Sequence, residues 1–149
     1  RIGNRLMGQP YGWGGLYGNR DCSMLLRDLF TPFGIWLPRN SAAQARTWEY
    51  VDFANKDTAA KEQYILDEGE PFATLLWLKG HIALYVGAYD GKAGMFHSLW
   101  GIRTEQNGQE GRHVIGRAVV TTTRPGVELP FVQDREGLLN RMRGMSRLR

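Results

Sequence analysis

The sequence predicts an α+β fold, with helices first, an antiparallel sheet after them and a helix to close. Three observations predict it. Apolar residues recur with helical spacing between positions 22 and 33. After Gly69 and Pro71 the texture changes to short β-rich runs, punctuated by Asp90-Gly91 and Asn107-Gly108, dipeptides that favour tight hairpins. Near the end, Leu138, Met142 and Met145 fall on one face of a last helix.

Each element has a local reason. Ile2, Leu6 and Met7 make a short helical face that stops before Gln9-Pro10, because proline disfavours helix in the residue before it. A glycine-rich turn, residues 11–20, leads to Asp21, which stands where an N-cap belongs. Cys22, Leu25, Leu26, Leu29, Phe30 and Phe33 then trace one buried helix face. Pro32 and Gly34 end that helix, and Ile35-Trp-Leu-Pro38 reads as an extended connection. Ser41-Ala-Ala-Gln44 fits a capping box and predicts a second helix through about Val51. A weaker third helix is expected over residues 57–66, and strands over residues 73–78, 82–89, 95–99 and 114–123. The chain has no internal repeat and no low-complexity linker.

With 149 residues and 42% hydrophobic content, residues 1–149 suffice for a single cored domain. No apolar run reaches the 18 or so residues that a membrane-spanning helix needs, since Lys79, Gly80 and His81 interrupt the most apolar stretches. The chain opens at Arg1 without a methionine or an apolar leader, so it is expected to be the C-terminal part of a longer precursor. A net charge of +4 would suit an anionic partner, but the excess gathers at one end. Arg135, Arg141, Arg143, Arg147 and Arg149 stand there against Glu136. Without an aromatic stacking motif they read as a solvated basic helix face, and no nucleic-acid partner is expected.

Chemistry centres on Cys22, whose status as the sole cysteine excludes an internal disulfide. A thiol opening a helix feels the positive end of the dipole and free backbone N–H groups, which favour the thiolate. The competing reading is a small buried core residue. His81 and His97 lie on successive expected strands and become cross-strand neighbours to within a residue or two of register. Together the three suit nucleophilic catalysis: His81 takes the thiol proton and later protonates a leaving amine, while His97 holds the His81 ring in its productive tautomer. Taken singly, each histidine also reads as a structural residue. A zinc site built from the same three is the rival chemistry; it lacks the clustered C-x-x-C or H-x-x-x-H spacing, so neither metal nor cofactor is expected. His113, in a basic stretch, reads as structural.

Five segments, in order, resemble the NlpC-type cell-wall cysteine peptidases. They are Tyr11-Gly-Trp-Gly-Gly15, Asp21-Cys-Ser23, Leu37-Pro-Arg-Asn-Ser-Ala-Ala-Gln44, His81-Ile-Ala-Leu-Tyr-Val-Gly87 and His97. The chain departs from the family pattern at Met24, where many members have glycine, and at Trp77-Leu-Lys-Gly80, where many have Gly-Asp-Leu. The resemblance implies a papain-like fold, with N-terminal helices packed on a central antiparallel sheet. It implies hydrolysis of the bond between γ-D-glutamate and a diamino acid, commonly diaminopimelate, in peptidoglycan stem peptides or muropeptides, by way of a thioester. Cys22 is then the nucleophile, His81 the base, His97 the third member and Tyr11 a phenol donor to the oxyanion hole. Asp21 and Ser23 match substrate-binding positions, with the Asp21 carboxylate suited to the free amine of an L-Ala-γ-D-Glu end; helix capping is the alternative for both. Upstream SH3-like domains and a cell-envelope location, periplasmic or secreted, follow from the same resemblance. Two other readings stand beside it: a non-catalytic cell-wall-binding module of the same fold, and a papain-like amidase or acyltransferase with another substrate.

Overall fold

A computed structural model describes residues 1–132 and 135–148. The α+β expectation holds. The helices are α1 (Ile2–Leu6), α2 (Cys22–Phe30), α3 (Ser41–Ala45), α4 (Thr58–Glu68) and α5 (Gly137–Arg141). The strands are β1 (Glu49–Asp52), β2 (Thr74–Leu78), β3 (His81–Tyr89), β4 (Lys92–Gln106), β5 (Gln109–Thr122) and β6 (Met142–Arg147). All six strands join one antiparallel sheet in the order β1-β6-β2-β3-β4-β5.

Strand alternation sends side chains to two cores. Leu75, Ile82, Leu84 and Phe96 face α2, whose Leu25, Leu26, Leu29 and Phe30 fill one side. Leu76, Ala83, Tyr85 and Met95 face the opposite way, toward Ile65 of α4 and Leu138 and Leu139 of α5. The sheet is therefore covered on both faces around β2 and β3, and burial of this apolar area supplies the main stabilising term. Inside the second layer the Glu62 carboxylate accepts from the Ala93 N–H at 2.6 Å and from the Thr123 hydroxyl at 2.8 Å, tying α4 to the sheet.

Asp21 caps α2 as expected, its carboxylate accepting the Met24 N–H at 2.9 Å. The helix ends at Pro32 and Gly34 as expected: Phe30 is followed by a tight 3₁₀ turn over Thr31–Phe33, and Gly34 leaves it in the left-handed region, but this turns Phe33, expected on the buried face, to solvent. The expected helix from Ser41 to about Val51 is corrected more deeply. Asn40 is the cap, accepting from the N–H groups of Ala42 and Ala43, and α3 ends at Ala45. Gln44 does not turn back to close a capping box; its amide donates to the carbonyls of Ser23 and Pro38 at 2.7 and 2.8 Å. Residues 49–52 pair with β6 instead of extending the helix, a tertiary ladder overriding a local signal.

The Asp90-Gly91 and Asn107-Gly108 turns form as expected, with all four residues at positive φ. Strands β4 and β5 run well past the expected 95–99 and 114–123. Their hairpin continues outward as an arm in which His113 and Val114 are exposed, so no buried face imposes an apolar alternation on the sequence there. At the other end, the closing helix is the short α5, and Met142 and Met145 lie on β6, between β1 and β2. Leu138, Met142 and Met145 are all buried as expected, but a central strand covered on both faces carries no period of its own. The terminal arginines do not share one solvated helix face. Arg147 is buried on β6 between Glu49 and Glu68, at 3.0 and 3.2 Å, and Arg149 lies outside the described residues.

Candidate active site

The glycine-rich turn positions the first half of the site. Residues 13–18 form an irregular loop in which Gly14, Gly15 and Tyr17 all take positive φ. Its ends meet where Tyr11 bridges Arg20. Gly12 permits that meeting, since a Cβ there would lie 2.8 Å from the Asn19 backbone. The Tyr11 ring is held edge-on by Trp13 at 5.0 Å and tilted against Trp100 of β4 at 5.9 Å. Burial first, then the neighbouring Cys22 and Asp21, push the Tyr11 phenol well above its ordinary range, so it remains a proton donor.

Cys22 opens α2 and is buried, with 6% of its surface exposed. The N–H of Ile82, the residue after His81, and then those of Ser23 and of Cys22 itself favour its charged form. These donors do not prevail. Burial outweighs them and, with Asp21 nearby, pushes the thiol up, against the pull of the helix start toward the thiolate.

The histidines meet, and the sheet explains how. Continuing the Leu84↔Phe96 register by one residue sets His97 opposite Ala83, two residues from His81 and on the same face. His81 Nε2 and His97 Nδ1 are 2.8 Å apart. On its far side, His97 Nε2 lies 2.8 Å from the Thr121 hydroxyl, which donates its own proton to the Thr122 carbonyl at 2.8 Å. One assignment of protons satisfies all three contacts, with the hydroxyl proton given to Thr122. With it committed, Thr121 accepts from His97 Nε2–H; His97 Nδ1 then accepts from His81 Nε2–H, and His81 Nδ1 is left as the free base. Burial lowers His97 well below the usual histidine range, with His81 the second cause. Burial, then the positive charge of Arg141, brings His81 down to about 4. Both rings are therefore neutral at pH 7. Among the described residues neither ring is hydrogen-bonded to the Cys22 thiol.

Asp21 and Ser23 lie in the same cleft, but in a tighter network than a free substrate acid would have. Arg39 donates to both Asp21 oxygens, at 2.5 and 3.0 Å, and to the Ser23 hydroxyl at 2.7 Å, while Ser23 donates to Asp21 at 3.1 Å. Although burial works against it, the Arg39 and Met24 hydrogen bonds hold the Asp21 carboxyl below its usual value. Tyr11, Trp13, Asp21, Cys22, Ser23 and Arg39 line one cleft of about 310 Å³. Arg39, Thr121 and Trp100 are the site residues that sequence reasoning missed. Arg39 stood inside a quoted segment; Thr121 and Trp100 are legible only once register is known. Among the described residues no group of three or more His, Cys, Asp or Glu side chains is arranged to hold a metal ion.

The family model for the NlpC/P60 family matches residues 8–119. Among solved structures, an NlpC/P60 endopeptidase from Photobacterium damselae subsp. piscicida is 29% identical, with a TM-score of 0.81, over 98% of this chain and 37% of that one. The peptidoglycan hydrolase RipB from Mycobacterium tuberculosis shares the fold at 19% identity and a TM-score of 0.59, covering 99% of this chain and 61% of that chain. An NlpC/P60 family protein from Bacillus cereus does so at 20% identity and 0.56, over 97% of this chain and 37% of that one. The chain thus spans less than two thirds of the length of these structures. No curated protein matches it.

Proposed function

Because the chain belongs to the NlpC/P60 family, we propose that it is a cysteine endopeptidase of peptidoglycan stem peptides or muropeptides, cutting between γ-D-glutamate and a diamino acid. The observation that carries this reading is the Thr121–His97–His81 chain, which leaves a free imidazole nitrogen at the start of β3, next to Ile82, whose N–H favours the charged form of Cys22. His81 Nδ1 takes the thiol proton as substrate enters, and the sulfur attacks the γ-carbonyl carbon. Apo hydrogen bonds of this kind often tighten only in the complex, so the Cys22–His81 contact is expected to form on binding. The developing oxyanion takes hydrogen bonds from the Tyr11 phenol and from backbone N–H groups at the head of α2. The imidazolium then gives its proton to the leaving amine as the C–N bond breaks. Water, deprotonated by His81, hydrolyses the thioester and restores the thiol.

Asp21 and Ser23, held by Arg39, meet the L-Ala-γ-D-Glu end. A cell-wall substrate would go with an envelope location, periplasmic or secreted, and with upstream SH3-like domains. The test is incubation of the protein with L-Ala-γ-D-Glu-diaminopimelate and mass-spectrometric detection of the released dipeptide. No release by the intact protein, or undiminished release by Cys22→Ser, sinks the proposal.

One observation favours a second reading. Burial of Cys22 and the upward push on its thiol suit a cell-wall-binding module without turnover. Slow iodoacetamide labelling that substrate peptide does not accelerate, together with binding to sacculi, would favour the module.

A further inference from the structure

Beside the Cys22 cleft, and sharing Asn40, Ser41 and Gly80 with it, runs a larger groove of about 1160 Å³. Its walls are strongly cationic. Arg46, Lys61, Lys79, Arg141 and Arg143 line it against a single acid, Asp52. Two of these cations are already engaged: Lys61 donates to the Asn140 carbonyl at 3.0 Å, and Arg46 lies over the Tyr50 and Trp77 rings at 5.6 and 5.0 Å. Asp52 is also occupied, accepting the Ala54 N–H at 2.7 Å. Lys79 and Arg143 are exposed, and among the described residues neither has an ion-pair partner. Cations gathered without acids in a concave site raise the local concentration of anions.

The position of the groove says which part of a substrate it would meet. Lys79-Gly80 is the turn immediately before His81, and Arg141 lies at the end of α5. Arg141 is also the charge that His81 feels most. In the reaction proposed above, His81 delivers its proton to the leaving amine, so the leaving fragment must pass on the His81 side of the cleft. The Asp21–Arg39–Ser23 cluster lines the Cys22 cleft but not the groove beyond Gly80.

We infer that this groove is the leaving-group subsite and that Lys79, Arg141 and Arg143 make it select fragments bearing free carboxylates, such as a diamino diacid or a peptide with a free C-terminus. The inference rests on the peptidase reading for the direction of the substrate, and its ligand class on the charge of the groove. A guanidinium or ammonium here gains a charge-assisted hydrogen bond from a carboxylate that an amide does not give.

The experiment compares L-Ala-γ-D-Glu-diaminopimelate with the same peptide amidated on its diaminopimelate carboxyls. The expected result is about tenfold higher kcat/KM for the free acid, most of it in KM, shrinking to within about twofold in the Lys79→Gln, Arg143→Gln double variant. Arg141 is left in place because it adjoins His81. No preference in the wild type, or a preference that the double variant retains, overturns the inference. Cleavage of neither peptide sinks the peptidase reading instead. The groove is then judged by calorimetry on Cys22→Ser, with diaminopimelate and its diamide as probes. Tighter binding of the diacid, lost when Lys79→Gln and Arg143→Gln are added to Cys22→Ser, supports an anion subsite; equal binding, or a stronger preference for inorganic polyphosphate, overturns it.

Discussion

The two halves of the candidate site hold their polar groups in opposite ways. At the head of α2, Asp21, Ser23 and Arg39 form an ionic network at the rim of the cleft, with the Arg39 side chain 41% exposed. Across β3, β4 and β5, His81, His97 and Thr121 form a neutral chain in which His97 is fully buried. The difference teaches which forces each half depends on. The rim is stabilised by charge in a wet setting, where screening keeps an ion pair to about 0.2–1 kcal/mol. The buried chain is set by hydrogen-bond direction and desolvation, where one missing acceptor leaves a ring nitrogen unpaired at about 1–3 kcal/mol.

Substitutions should separate the halves, and the largest effect is expected where they meet. Cys22→Ser should lower peptide release by about three orders of magnitude or more without changing the melting temperature much. Next, Thr121→Val removes the acceptor that orients His97. We expect kcat to fall about tenfold or more with KM little changed, and Thr121→Ser to recover most of it. A fall in KM-dependent terms alone would mean that Thr121 acts only in packing.

Acid should unfold the buried half before the rim. The folded-state pKa of His81 is lowered to about 4 and that of His97 well below its ordinary 6.5. Between those values and 6.5 the unfolded chain binds protons that the folded one excludes, so stability is complete above about pH 6.5 and declines as pH falls toward 4. Asp21, also lowered, contributes stability present above its unfolded value of 3.8 and lost only below it. Urea unfolding at pH 7, 5.5 and 4.5 should show the decline, and His97→Gln should flatten it. The smallest effects belong to the rim. Asp21→Asn keeps a capping oxygen and should cost well under the roughly 1 kcal/mol of losing a cap, while Asp21→Ala should cost about that much. Arg39→Gln should raise KM several-fold, and less at high salt.

Legibility followed the same division. Asp21, Cys22 and Ser23 could be placed because the cap, the helix periodicity and the turn are all encoded within a dozen residues. The cross-strand approach of His81 and His97 was readable from the two-residue Asp90-Gly91 turn, although not the diagonal register that sets their geometry. Thr121 was not readable at all, since its place depends on a second hairpin whose outer arm has no buried face. Ser41-Ala-Ala-Gln44 misled for a related reason: Gln44 has the right side chain for a capping box, but the Ser23 and Pro38 carbonyls compete for its amide. Nor does any local pattern announce that residues 142–147 return to lie between β1 and β2.

The sequence by itself determined the α+β class, the helix headed by Cys22, the tight turns and the presence of two histidines on neighbouring strands, because caps, periods and turn dipeptides act over short distances. Tertiary structure alone decided the burial that pushes the thiol up, the meeting of His81, His97 and Thr121, and the cationic groove. Burial, strand register and the return of β6 belong to no single segment. They fix the dielectric and the hydrogen-bond partners around groups whose identity the sequence only names.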